Sequence, residues 1–263
     1  YVPGRRCQCD FLLLSCSGCH QGLSRPHIAA GINLNLPFVG ALLRRGGAFY
    51  LRRTFKGNRL YAAVFNAYLR QILVRGHAIE YFVEGTRSRT GRLLAPKAGM
   101  LAMTVNSYVH NPRLPVAFIP VYFGYEKLIE GDSFISELGG KKKQKESLFG
   151  LVRSVKSLRD YFGKVYVNIG EPIHLDPLLD AHRPDWRDQV TGDEERPTWM
   201  TNVVTDLGDR IMGEINAAAA VTPISLIAYV LLSTPKQAIG EYELKKQIEL
   251  LQREVNPVDG IRA

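Results

Sequence analysis

The sequence predicts an α/β fold: a mixed central sheet flanked by helices, with a C-terminal helical extension. Three observations carry that expectation. Short apolar runs alternate with segments of helical period along the first two-thirds of the chain. Gly and Pro punctuate their junctions. Beyond residue 175 the strand-like runs stop, and a polar stretch from Pro184 to Pro197 gives way to helical spacing from Trp199. The expected division is a domain over 1–175 and a mainly helical region over 176–263.

The first apolar run, Phe11-Leu12-Leu13-Leu14, belongs in a core element. It separates Cys7 and Cys9 from Cys16, Cys19 and His20, whose spacing invites a zinc reading. A short metal knuckle does not carry such a run. The cysteines are therefore read as unpaired, partly buried thiols of a reducing compartment, and no metal is assigned.

Further along, Gly46 to Lys56 reads as small residues, an apolar strand and clustered cations. Asn58 is a helix N-cap, and Leu60, Val64, Ala67, Tyr68, Gln71 and Ile72 place a mostly apolar stripe on one helical face, ending before Gly76. Ala78 to Val83 reads as a buried strand that breaks at Glu84-Gly85. Pro96 opens the next helix, with Met100, Leu101, Thr104, Val105 and Tyr108 at helical spacing. Val116 to Phe123 is a strand interrupted by Pro120, which marks an edge position, a strand end or a bulge. Lys164 to Ile169 alternates like a strand and stops at Gly170-Glu171-Pro172. Ala217 to Leu232 is the most apolar segment, but it is shorter than a bilayer span and contains Pro223. A buried helix pair followed by the amphipathic Glu241 to Glu254 is expected there. The basic run Lys141 to Lys145 reads as a solvated loop, with contact to anionic lipid as its functional alternative.

Net charge is +9 over 263 residues, and residues 1–126 hold the whole excess, with 16 Lys and Arg against 4 Asp and Glu. Such a field attracts phosphates, whether on nucleic acid, on lipid head groups or on small molecules. The chemistry concentrates in Glu84-Gly85-Thr86-Arg87-Ser88-Arg89-Thr90-Gly91. A strand delivers Glu84 to the rim of the sheet, Gly85 turns the chain, and the guanidinium groups of Arg87 and Arg89 suit a phosphate dianion, with Ser88 between them. Glu84 holds the arginines in position or binds a substrate hydroxyl. Arg52, Arg53 and Lys56 end the earlier strand in the same way, so two strand ends can build one anion site at the sheet edge.

These two segments resemble the second and third motif blocks of the glycerolipid acyltransferases, in particular the bacterial glycerol-3-phosphate 1-O-acyltransferases. Phe118-Ile119-Pro120-Val121-Tyr122 is similar to their fourth block, and the likeness runs across most of residues 1–175. The resemblance implies the glycerolipid acyltransferase fold, with 1–175 as an N-terminally incomplete catalytic domain. It implies transfer of an acyl group from acyl-carrier protein or acyl-CoA to the sn-1 hydroxyl of glycerol 3-phosphate, giving lysophosphatidate for phospholipid synthesis. Phosphate-binding arginines of the family match Arg53, Arg87 and Arg89, with Glu84 and Gly85 beside them, and Pro120 matches the proline that shapes the acyl side. The thioester and the alcohol react directly, so no metal or redox cofactor is implied. An anionic membrane surface is the implied setting, at the cytoplasmic face of a bacterial inner membrane, with peripheral association. The chain opens at Tyr1 without an initiator Met, and further sequence is expected upstream.

The family's first block is His-x4-Asp, a histidine base oriented by an aspartate. Here Asp10 is in place and Arg5 stands at the histidine position. Arginine stays protonated and cannot take a proton from a hydroxyl. His20 and His27 lie outside the spacing that lets Asp10 orient an imidazole. Turnover by this chain is therefore in question, and the alternative is a non-catalytic phosphate- or lipid-binding remnant. Dihydroxyacetone phosphate as acceptor and nucleic-acid binding through the basic half are weaker readings. The second has no recognised motif behind it, so no nucleic-acid partner is assigned.

Overall fold

Val, Ile, Tyr and Phe cluster in runs of two to six residues that form the strands, and Ala- and Leu-rich segments form the helices. The computed structural model describes residues 1–7, 10–52, 54–55, 57–88, 90–128, 131, 135, 139, 163–188, 197–235 and 238–255. In chain order the elements are β1 (Val2–Pro3), α1 (Asp10–His20), β2 (His27–Gly31), α2 (Val39–Arg45), β3 (Ala48–Leu51), α3 (Arg59–Val74), β4 (Ile79–Glu80) and α4 (Ala98–Val109). There follow β5 (Ala117–Phe118), β6 (Pro120–Tyr125), β7 (Val165–Ile169), β8 (Ile173–His174), α5 (Leu175–His182), α6 (Thr198–Ala217), α7 (Pro223–Ser233) and α8 (Glu241–Val255).

The sheet is mixed. β2 pairs in parallel with β3 and with β4, β1 pairs in parallel with β6, and β6 runs antiparallel to β7. The Tyr81 N–H donates to the Tyr1 carbonyl at 3.2 Å and joins the two groups of strands, so the order across them is β7-β6-β1-β4-β2-β3. β5 and β8 form a separate antiparallel pair. The apolar run from Val116 to Phe123 is thus two strands with different partners. Pro120 opens β6, the strand-start position that the missing N–H tolerates, and β6 lies inside its sheet rather than at an edge.

Strand alternation sorts the side chains into two faces. Ile79, Tyr81, Val2 and Phe49 face the larger core, which α3, α4, α5 and α6 complete. Ile28, Ala30 and Ala48 face the other side with Phe11 and Leu43. Val121 and Phe123 do the same against Leu14 of α1. Helices therefore cover both faces of the sheet. Every residue of α4 from Leu101 to Val109 is buried, and Leu175, Leu179, Trp186, Leu207 and Ile211 belong to the same core as the strands.

The Asn58 side chain caps α3, accepting the Tyr61 N–H at 2.9 Å, and Gly76 follows its end at φ +72°. Most of the stripe read from the sequence falls on the other face, however, with Ile72 its one buried member. An apolar stripe ordinarily faces the core, yet Leu60, Val64 and Tyr68 are 76%, 59% and 42% exposed, while Phe65, Leu69 and Ile72 are buried. The helix carries two apolar stripes, and the ring cluster of Phe49, Phe55, Tyr61 and Phe65 selects the second.

The expectation of a buried helix pair over 217–232 is also corrected. α7 starts at a capping box on Thr222 with Pro223 in its first turn, and only Val230 of its residues is buried. It packs on α8 instead of on the sheet, leaving Ile224 and Leu232 in the open. Among the described residues no helix is long and apolar enough to cross a membrane. The run Lys141 to Lys145 lies outside the described residues.

Candidate functional site

A cleft of about 580 Å³ opens where the ends of β2, β3 and β4 meet the start of α4. Arg5, Arg52, Arg87 and Lys97 reach its wall, together with Asn33 and Thr86, and among the described residues no carboxylate does. Leu34, Leu51, Phe55, Phe82, Met100 and Met103 make the remaining wall apolar. Cations beside an apolar surface fit a ligand with an anionic head and a hydrocarbon part. The start of α4 borders the cleft at Gly99, adding the positive end of the helix dipole.

Position 5 is held from three sides. Its N–H donates to Glu84 Oε1 at 2.7 Å, its carbonyl accepts the Ser88 N–H at 3.2 Å, and its guanidinium lies 5.0 Å from the centre of the Phe82 ring. Asp10, fully buried at the start of α1, fixes the intervening turn. Its Oδ2 accepts the N–H groups of Arg6 and Cys7 at 2.7 and 2.8 Å, and its Oδ1 accepts the Tyr125 hydroxyl. Burial pushes the Asp10 carboxyl up to about 6, against the downward pull of those hydrogen bonds and of the Arg5 charge.

The turn at Gly85 has φ +66°, which favours glycine, and a Cβ there would stand 3.2 Å from Lys97 Cγ and press on that side chain. Arg52 reaches the same cleft with its guanidinium 4.8 Å from the centre of the Tyr61 ring.

Glu84 and Ser88 are engaged with backbone, and Pro120 stands in the sheet. Glu84 is buried, and its second oxygen accepts the Leu94 N–H at 2.8 Å, so both oxygens are committed to backbone. Ser88 is buried with its hydroxyl on the Arg92 carbonyl. Pro120 sits in the sheet beside Val2 and does not reach the cleft wall. A charged or hydroxylic residue in an Arg-rich loop looks like a ligand group in sequence, but here backbone satisfaction claims it. Arg53, Lys56 and Arg89 lie outside the described residues.

Among the described residues neither His20 nor His27 is hydrogen-bonded to Asp10. His20 ends the helix that Asp10 begins, about 15 Å along the axis, and His27 packs on His77 at 5.1 Å between ring centres. Cys7 is buried, Cys16 and Cys19 are exposed on α1, and Cys9 lies outside the described residues. Among the described residues no group of His, Cys, Asp and Glu has the makings of a metal site.

Sequence reasoning missed three residues. Lys97, followed by Ala98 and Gly99 at a helix start, carried a signal in its place after Pro96. Tyr125 reaches Asp10 across 115 positions, with no local signal. Glu80 is fully buried, and neither of its carboxylate oxygens has a hydrogen-bond partner. It alternates with Ile79 and Tyr81 and so points to the α1 side of the sheet, where burial above all pushes its carboxyl up to about 8 and Asp10 adds to the rise.

Comparison with known proteins places this architecture first among acyltransferases: residues 1–124 match the family model described as Acyltransferase. Residues 134–260 match the model described as the glycerol-3-phosphate acyltransferase C-terminal region. Proteins named glycerol-3-phosphate acyltransferase from Pseudomonas paraeruginosa and Xanthomonas axonopodis pv. citri are 52% and 54% identical over 95% and 96% of this chain. The chain belongs to the glycerol-3-phosphate acyltransferase family. It spans 30% and 29% of the length of those two relatives. A crystal structure of the 1-acyl-sn-glycerophosphate acyltransferase PlsC from Thermotoga maritima aligns with a TM-score of 0.41 at 18% identity, over 84% of this chain and 67% of that one.

Proposed function

We propose that this chain carries the acceptor site of an acyltransferase that esterifies the sn-1 hydroxyl of glycerol 3-phosphate with an acyl group from a carrier-protein or coenzyme A thioester. The carrying observation is the cleft that sets Arg52, Arg87 and Lys97 against apolar walls beside position 5. The arginines and the lysine hold the phosphate, and the apolar side takes the acyl chain. In the reaction the hydroxyl oxygen bonds to the acyl carbon, the carbon–sulfur bond breaks, and the hydroxyl proton leaves through a base to the departing thiolate. Phosphate binding and positioning need no metal or redox group.

Position 5 is where the His-x4-Asp block of the family puts that base; in this chain Asp10 holds the turn beside it and Glu84 holds its backbone. Arg5 cannot accept the proton, and loss of a general base costs about 10²–10⁴ in rate. A second reading, phosphate or lipid binding without turnover, is favoured by this one residue. The setting is an anionic membrane surface, reached peripherally from the cytoplasmic side of a bacterial inner membrane.

Thioester consumption dependent on glycerol 3-phosphate tests the reading, with this sequence and its Arg5→His version each carried in a polypeptide of the relatives' length. Turnover only by the histidine version is the expected result. Equal turnover by both would show that another group acts as base. Binding without turnover in either supports the second reading. Dihydroxyacetone phosphate in place of glycerol 3-phosphate separates the two acceptors.

A further inference from the structure

The margin of the sheet beyond the cleft is apolar, cationic and uncovered among the described residues. β3 is the last strand on that side, and α2 and α3 flank it, one on each face. The Tyr50 hydroxyl donates to the Gly40 carbonyl of α2 at 3.0 Å, while Phe49 meets Tyr68 of α3 at 5.4 Å between ring centres. Their outward residues therefore border one edge of the molecule. Phe38 and Leu42 are 91% and 68% exposed on the α2 side, and Leu60 and Val64 stand 76% and 59% exposed on α3.

Phe38 is also strained into place. Its φ is +63°, and the Val39 N–H donates to the Pro37 carbonyl at 2.7 Å across it, a γ-turn of the rare left-handed kind. Among the described residues it is the one non-glycine with positive φ. A bulky ring held at a costly angle and projected into solvent gains nothing from the core, so its use lies outside the fold.

Charge says what that use is. From Phe11 to Ile79 the sequence has nine Lys and Arg residues and no Asp or Glu. Arg44, Arg45 and Arg59 are exposed beside the apolar residues. An apolar set flanked by arginines, in a stretch of sequence without a carboxylate, matches an anionic bilayer, whose head groups meet the arginines while the apolar side chains enter the acyl zone.

We infer that the α2–β3–α3 margin, led by Phe38, Leu42, Leu60 and Val64, docks the protein on an anionic lipid bilayer next to the mouth of the cleft. Arg52, Leu51 and Phe55 continue from this margin into the cleft wall, so a docked molecule presents its acyl side to the lipid. The inference rests on the proposed membrane-surface setting and adds to it the face that makes the contact.

Sedimentation with vesicles tests it, using phosphatidylcholine alone and phosphatidylcholine with roughly one-third phosphatidylglycerol. The chain is expected to bind the second kind and to release with salt. Arg44→Gln with Arg45→Gln should weaken binding roughly twenty-fold, and Leu60→Ser with Val64→Ser about tenfold or more. Phe38→Gly separates docking from folding: it relieves the positive φ, so Tm should rise while vesicle binding falls. No binding to the anionic vesicles by the unchanged chain would refute the membrane-surface setting itself. Binding by the unchanged chain that all these variants retain would overturn the docking face while leaving that setting intact. Variants that lose a dimer instead of vesicle binding would assign the face to a second copy, which also overturns it.

Discussion

Arg5 and Glu84 are joined through the backbone: the Arg5 N–H donates to Glu84 Oε1 at 2.7 Å across 79 positions of sequence. Position 5 is thus set by the residue that opens the arginine-bearing loop. The other oxygen of Glu84 holds Leu94 at 2.8 Å, so one buried carboxylate ties three segments.

Glu84→Ala should lower stability by about 2–4 kcal/mol, because two backbone N–H groups lose a charged acceptor. Glu84→Gln keeps one acceptor oxygen and should fall between. Urea unfolding of the three proteins checks this, and an alanine variant as stable as the parent would show that Glu84 is no anchor.

Removing a cleft cation should weaken phosphate binding without unfolding the chain. Lys97→Gln and Arg87→Gln each are expected to raise the Kd for glycerol 3-phosphate roughly tenfold to a hundredfold, from the loss of a charge-assisted contact. Calorimetric titration reads this directly. Unchanged affinity in both variants would place the phosphate elsewhere.

The contribution of Glu80 to stability should fall as pH rises through the range in which it is protonated in the fold and ionised when unfolded. Its carboxyl, ordinarily near 4.5, stands at about 8 in the folded chain. At Glu80 the folded state therefore binds more protons between those values, so this group's contribution is full below the lower one and is lost towards the upper one, by at most about 1.4 kcal/mol per pH unit. The buried N-terminal ammonium, lowered to about 6, opposes it above that pH. Asp10, raised to about 6, acts in the same direction over a shorter range. Glu80→Gln should lift the profile above pH 6 and raise Tm most at alkaline pH. A Tm profile identical to the parent's would mean that Glu80 reaches water.

Gly85→Ala should cost about 1–2 kcal/mol from the positive φ alone and also displace Lys97. Its Kd for glycerol 3-phosphate should rise together with the loss of Tm. A change in one without the other would uncouple the turn from the site.

Much of this was legible in the sequence where one residue dictates local geometry. Asn58 announces a helix start because its side chain can cap only there, and Gly85 announces the turn because few other residues take its φ. The strand ends that deliver Arg52 and Arg87 to one cleft follow from apolar runs that stop at cations. What stayed hidden depends on partners distant in the chain. The buried face of α3 is chosen by Phe49 and its ring neighbours, since Leu60, Val64 and Tyr68 form as good a stripe as Phe65, Leu69 and Ile72. Glu84 and Ser88 read as ligand groups until the N–H and carbonyl groups they satisfy are seen. Tyr125 meets Asp10 only after β6 is laid beside β1.

That last pairing also fixes an order of events. Val2 and Pro3 take Pro120 and Val121 as their parallel partners, so β1 is completed only after β6, more than a hundred residues later, has left the ribosome. Until then the turn from Arg5 to Asp10 lacks one wall and the Tyr125 hydroxyl. The helix-rich segment between can gather around Phe65 and Leu69 before the corner at position 5 is closed. A mutation that slows β6 would therefore show first as a chain with normal helix content and an empty grip at position 5.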